Sequence, residues 1–138
     1  MERSEAEKLL YDWADILEVD TSKNSFKDVV EELALAVQKE RLTFDEATEQ
    51  FKYQLLKPIE KQDGSGSISV IDIRETSLND NKSIQRFKEN ESVDQAMMLI
   101  SKSCGIELGF ASRLKQRDVS KINAVVLGFF VQAAPSRG

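Results

Sequence analysis

The sequence contains no histidine and only one cysteine, Cys104, in 138 residues. Without histidine there is no imidazole base at neutral pH, no Ser-His-Asp triad and no imidazole metal ligand. A lone thiol excludes an internal disulfide and a thiolate zinc cluster, and it fits a reducing, intracellular compartment. Carboxylates alone can hold a hard cation only from a clustered loop, and no such loop is visible. Long apolar runs are also missing. The most apolar stretch, residues 122–134, is broken by Asn123 and Gln132 and falls short of the roughly 20 residues a bilayer requires. Residues 1–8 are charged rather than basic and then apolar, so no secretory signal is expected. These absences remove the commonest base and metal ligand, and the sequence points to no other base, nucleophile or metal site. No enzyme and no cofactor are expected.

What is present suits a folded, water-soluble chain, with 41% hydrophobic and 31% charged residues. The net charge of −5 is unevenly spread, since residues 1–57 hold 14 acidic and 8 basic side chains. From Ser101 onward the excess is positive, through Lys102, Arg113, Lys115, Arg117, Lys121 and Arg137. A basic C-terminal helix admits an alternative function, a small regulatory or nucleic-acid-binding module. Such modules usually add a dense Lys/Arg stripe or stacking aromatics, and neither is found. A solvated helix face is the better account, and nucleic acid is not expected as a partner.

Three helix starts are legible in the first fifty residues. Ser4 and Glu7 have capping-box spacing, followed by an apolar stripe of Leu9, Leu10, Trp13, Ile16 and Leu17. A polar loop over 19–24 separates it from a second helix opening at Ser25, with Phe26, Val29, Val30, Leu33 and Val37 on one face. Thr43 and Glu46 repeat the capping spacing and predict a short third helix fading near Gln50. The period then drops to two. Phe51, Tyr53 and Leu55 alternate with Lys52 and Gln54, as in a half-buried strand, and Pro58 suggests an edge position. Gly64 and Gly66 mark a turn, after which Ser69, Ile71 and Ile73 face away from Ile68, Val70 and Asp72. Strand, glycine turn and strand predict a β-hairpin over about 51–75.

Helices return beyond it. One is predicted from Ser77 to about Lys88, burying Leu78, Ile84 and Phe87. The next begins near Ser92, carries Val93, Ala96, Met97 and Ile100 on one face, and ends at Gly105 in a left-handed cap. A helical turn follows within 106–114, then a last helix from Gln116 to Gln132. The expected fold is α+β: a β-hairpin packed with C-terminal helices, plus a helical N-terminal layer. Its expected division is a helical segment at 1–50 and an α+β domain at 51–138.

Cys104 sits at the wrong end of its helix to be activated, so packing explains it better than nucleophilicity. The Gly64-Ser65-Gly66 turn lacks the rest of a phosphate-binding loop. Acidic pairs such as Glu31-Glu32 read as solvated helix faces. Arg74 and Glu75 gather polar groups at a strand exit, where a turn and a recognition role are equally good accounts. Met97 and Met98 are adjacent on one helix, as are Phe129 and Phe130 on another, more apolar surface than one core face needs. Methionine adapts to varied apolar ligands. Met97, Met98, Phe129, Phe130, Arg74 and Glu75 are therefore the candidate partner-binding residues, and the pattern suggests an interaction protein rather than a catalyst.

The order of short motifs from Lys57-Pro58-Ile59, through Arg74-Glu75-Thr76, to Cys104-Gly105-Ile106 and Asp118 resembles the tail assembly chaperones of long-tailed phages, Mu-like prophages among them. The likeness runs over roughly 51–132. Here the strand exit lacks the family's proline, and Asp118 stands where the family carries an aspartate in its last helix. The resemblance implies a chaperone that binds the tape measure protein and keeps it soluble until the tail tube polymerises. Tape measure and tail tube proteins are the implied partners, with no membrane; self-association stays open. The implied location is the cytoplasm of the bacterial host rather than the mature virion.

Overall fold

A computed structural model of the chain describes residues 1–60, 64–76 and 92–130, with side chains from 97 onward in the last stretch. Two helices open it, α1 (Arg3–Ile16) and α2 (Asn24–Gln38). Three strands follow, β1 (Leu42–Asp45), β2 (Gln50–Glu60) and β3 (Ser67–Ile73), then α3 (Ser92–Cys104), α4 (Leu108–Ala111) and α5 (Gln116–Val125). A π-helical turn, Val126–Phe130, extends α5. The α+β expectation holds, with helices before and after an antiparallel sheet. The helix predicted from Ser77 and the end of the last helix lie outside the described residues.

Both N-terminal helices form where the apolar spacing requires. Ala6, Leu10, Trp13 and Ala14 are the buried stripe of α1, and Phe26, Val30, Leu33, Ala34, Ala36 and Val37 that of α2. Ile16, expected in the stripe, is exposed. The predicted serine caps are not used: α1 begins after Glu2 and α2 after Lys23, neither with a side-chain cap.

The C-terminal ends are more specific. The amide of Val19 donates to the Ala14 carbonyl (2.8 Å) and that of Glu18 to Asp15 (3.2 Å), while Arg41 and Glu40 repeat the pattern on Ala36 and Val37. These are paired closing bonds of a Schellman motif, with glutamate at the left-handed position: φ is 57° at both Glu18 and Glu40. Gly105 takes the same place after α3, with φ 64°, as its sequence position predicted. A non-glycine residue in this region costs about 1–2 kcal/mol, part of which glycine returns as unfolded-chain entropy. Glu18→Gly and Glu40→Gly should each stabilise the fold by about 0.5–1 kcal/mol, read as a raised urea midpoint at unchanged m-value.

The sheet has order β1-β2-β3, antiparallel throughout. The helix predicted from Thr43 is instead β1, paired Leu42↔Tyr53 and Phe44↔Phe51. Asp45 does cap backbone, but that of a turn: its Oδ1 accepts from Ala47 N at 2.9 Å and its carbonyl from Glu49 N at 2.8 Å. Leu42 and Phe44 gain more by pairing with the strongly alternating β2 than by a one-turn helix. The β2–β3 hairpin forms as expected, with Ile71 and Ile73 buried and Val70 and Asp72 exposed. β2 is the central strand of the sheet, but β1 pairs only its residues 50–53, so Pro58 lies where β2 has β3 alone as neighbour, an edge locally. The register passes from Gln54↔Val70 to Ile59↔Ile68 through an irregularity, and the proline, lacking an N–H, falls within it.

One buried cluster joins α1, α2, the inner sheet face and the C-terminal helices. Phe51 is its hub, with ring centroids 5.8 Å from Trp13, 4.7 Å from Phe44, 4.8 Å from Phe129 and 5.7 Å from Phe130. The π-turn reaches this cluster by close approach to α2. A Cβ placed on Gly128 would lie 2.7 Å from Val29 Cγ1, closer than packed carbons tolerate. Gly128→Ala should destabilise by about 1–3 kcal/mol. Adding Val29→Ala should recover part of that loss; no recovery in a double-mutant cycle would contradict the clash.

Candidate functional site

Two features of the folded chain bear on function: a polar network around Asp118, and the apolar side chains left at the surface.

Asp118 is a buried carboxylate, 1% exposed, in the first turn of α5. The helix dipole favours a negative group there. Its Oδ1 accepts from the Tyr53 hydroxyl at 2.6 Å, and the Leu56 amide donates at 3.1 Å to Oδ1 and 3.2 Å to Oδ2. Arg41 Nη2 lies 3.7 Å from the same carboxylate and donates at 2.9 Å both to the Tyr53 hydroxyl and to the Gln54 carbonyl. The β1–β2 ladder runs out just here, its last bond being Gln54 N to Arg41 O at 2.8 Å. Asp118 therefore takes over an amide that β1 is too short to pair. The network ties α5, β2 and the end of α2 together.

Burial, reinforced by the bond to Asp118, pushes the Tyr53 hydroxyl far above its ordinary value of 10.0. Burial likewise pushes the Cys104 thiol up to about 12 from 9.0. Both groups hold their protons more tightly when folded, so the stability they protect is complete below the unfolded values. It is lost as pH rises past about 9 for the cysteine and 10 for the tyrosine. Unfolding free energy should fall from pH 9 to 11, and less steeply in Tyr53→Phe than in the parent; identical slopes would contradict the assignment. A thiol of this kind is a packing residue, as its sequence position suggested.

The six residues singled out in the sequence do not form one patch. Met97 and Met98 lie half-buried along α3, and Phe130 is half-buried against Phe51. Phe129 belongs to the core, 5.6 Å from Phe26 and 4.8 Å from Phe51. Arg74 and Glu75 stand at the exit of β3, where the Arg74 amide donates to the Ser103 carbonyl (2.8 Å) and its Nη1 to the Glu75 carbonyl (3.2 Å). Leu127, which the sequence groups with Phe129 and Phe130 as surplus apolar surface, was not among the six, nor were Leu56 and Val70; the three are 50%, 45% and 49% exposed. For Leu56 and Val70 the signal was available, since both fall on the outward parity of their strands. Among the described residues, no group of three or more His, Cys, Asp or Glu could hold a metal. No described helix is long and apolar enough to cross a membrane.

The short motifs of the sequence thus do structural work: Pro58 in the strand irregularity, Gly105 in a left-handed cap, Asp118 on the β2 backbone. A chain carrying them in this order matches the family model described as "phage tail assembly chaperone proteins, E, or 41 or 14" over residues 52–131, more than half its length. The chain belongs to this family. Neither the curated proteins nor the solved structures contain a significant match to this chaperone. The matched region begins after Arg41 and Phe26, yet both reach into it, through the Asp118 network and through the ring of Phe129.

Proposed function

We propose that this chaperone binds the tape measure protein of a phage tail, holding it soluble until tail tube subunits polymerise around it. Family membership over residues 52–131 is the observation that carries the reading. A tape measure is a long, mainly helical chain whose apolar stripes aggregate when bare. Half-buried Met97 and Met98 on α3 are suited to cover such stripes, because the thioether repacks around different apolar partners. Many modest contacts of this kind exchange readily, as release to the tube requires. The reading places the protein in the host cytoplasm, encoded by a phage or prophage, with tube protein as a second contact and no place in the finished virion. It assigns no catalytic step.

The nucleic-acid alternative draws less support from the basic residues themselves. Lys121 Nζ bonds the Glu32 carbonyl at 2.7 Å and its carboxylate. The Arg113 guanidinium lies over the Phe110 ring, 4.9 Å from its centroid. These cations are engaged within the fold rather than arrayed as a phosphate-tracking stripe. Co-expression with the tape measure protein, followed by purification at low and high salt, distinguishes the readings. Co-elution that survives salt, with the tape measure soluble only in company, is the expected result. Failure to associate, together with bound nucleic acid that salt removes, would overturn it.

A further inference from the structure

Between α2 and the last helix runs an open groove of about 450 Å³, lined on its apolar side by Val29, Ala124, Leu127 and Gly128. Its volume lies within the range of sites that take apolar ligand groups, about 300–1,000 Å³. Asp28 and Glu32, one helical turn apart on α2, supply its charged lining; among the described residues no lysine or arginine lines it. Glu32 is bonded to Lys121, but Asp28 has no ion-pair partner among the described residues. The groove also opens on the acidic part of the chain, residues 1–57, where acidic side chains outnumber basic ones 14 to 8. Leu127, half exposed beside it, offers apolar surface that no neighbour in the fold covers fully.

We infer that this groove is a docking site for an amphipathic helix of a tail protein whose apolar row is flanked by lysine or arginine. The apolar row enters between α2 and α5, the helix-in-groove mode of recognition, and a flanking cation meets Asp28, because Glu32 is already paired with Lys121. Charge complementarity selects this occupant: an acidic helix would place its flanking carboxylates against Asp28 and be repelled. The inference deepens the proposed function by naming the chemistry of the bound segment, and it rests on that reading for the biological source of the helix. A pairing surface built this way combines apolar capture with charge selection, and leaves the methionines of α3 for other contacts.

The test titrates the full chain with a labelled peptide of about eighteen residues, leucine and lysine at helical spacing, and with its glutamate-for-lysine counterpart. The lysine peptide should bind and shift the amide resonances of Val29, Ala124 and Gly128, while the glutamate peptide binds at least about tenfold more weakly. Asp28→Lys and Leu127→Ser, both on exposed side chains, should each weaken the lysine peptide by about tenfold or more. Asp12→Lys, an equal charge change on the exposed face of α1, should leave it within about twofold. Equal losses in Asp28→Lys and Asp12→Lys, or shifts confined to α3, would overturn the site. So would a chain that dimerises through the groove and becomes monomeric on Leu127→Glu, because a second copy would then be the occupant. Co-purification with the tape measure keeps the two claims apart. Wild-type binding retained fully in Asp28→Lys and Leu127→Ser overturns the groove alone. A wild-type chain that never binds the tape measure overturns the proposed function, while the peptide titration still decides the groove.

Discussion

Phe51→Ala is expected to destabilise the chaperone by about 3–5 kcal/mol, the range for truncating a large buried aromatic. The side chain is fully buried near the start of β2, and Trp13, Phe44, Phe129 and Phe130 all pack their rings on it. These neighbours come from α1, β1 and the π-turn, which the rest of the fold holds apart. None can collapse inward without leaving its own element, so the cavity should stay open and the cost should sit at the upper end. Domains of this size are stable by about 5–15 kcal/mol, and such a loss could consume most of it. Guanidinium unfolding followed by circular dichroism measures the change. Phe51→Leu serves as the milder variant if alanine prevents folding, with an expected cost of about 1–2 kcal/mol. A loss below about 1.5 kcal/mol for the alanine variant would mean that Phe51 is not the hub of this core.

The same residue explains why β2 was legible in the sequence. Phe51, Tyr53 and Leu55 are separated by Lys52 and Gln54, and only a period of two reconciles that pattern with one buried face. Ile71 and Ile73 in β3 were legible for the same reason. β1 was not. Four residues are too few to display a period, and Thr43-Phe44-Asp45-Glu46 satisfies the spacing of a helix cap equally well. What decides is the partner: Leu42 and Phe44 lie opposite Tyr53 and Phe51, and pairing across a hairpin is not local information. Glutamate at the left-handed caps is hidden in a similar way. Gly105 announces such a cap by its own lack of a Cβ, whereas Glu18 and Glu40 adopt the conformation because the following residues, Val19 and Arg41, must bond back to the helix.

The surface was harder to read than the core. Phe129 and Phe130 are adjacent, and a regular α-helix would set them about 100° apart. The π-turn changes the angle per residue there, so Phe129 is buried and Phe130 packs beside it on Phe51. Leu127 is left exposed in exchange. The apolar run on this helix pointed to Phe129 and Phe130, whereas Leu127 is the residue that carries the exposed surface. The groove beside Leu127 depends on Gly128 meeting Val29 across a gap of 99 residues in the chain, a contact that no local pattern encodes.

Asp118→Ala should cost about 3–5 kcal/mol, comparable to Phe51→Ala but by a different mechanism. Removing the carboxylate leaves the Tyr53 hydroxyl and the Leu56 amide without their common acceptor and the Arg41 guanidinium without its nearby counter-charge. Each was desolvated to reach it, and a buried donor without a partner costs about 1–3 kcal/mol. Asp118→Asn should recover only part of the loss, since one amide oxygen can accept but the amide nitrogen then faces donors. Tyr53→Phe, which deletes one donor and leaves the carboxylate to Leu56 and Arg41, should cost less than either. The ordering alanine, then asparagine, then the tyrosine variant is the diagnostic result of chemical denaturation. Arg41→Met should be less damaging in the Asp118→Ala background than in the parent, because the charge it removes is already unpaired there. Strict additivity of those two changes would show that Arg41, although 19% exposed and 3.7 Å away, is satisfied by water and by the Gln54 carbonyl. The coupling therefore measures how firmly the residues before the family-matched region are held to it.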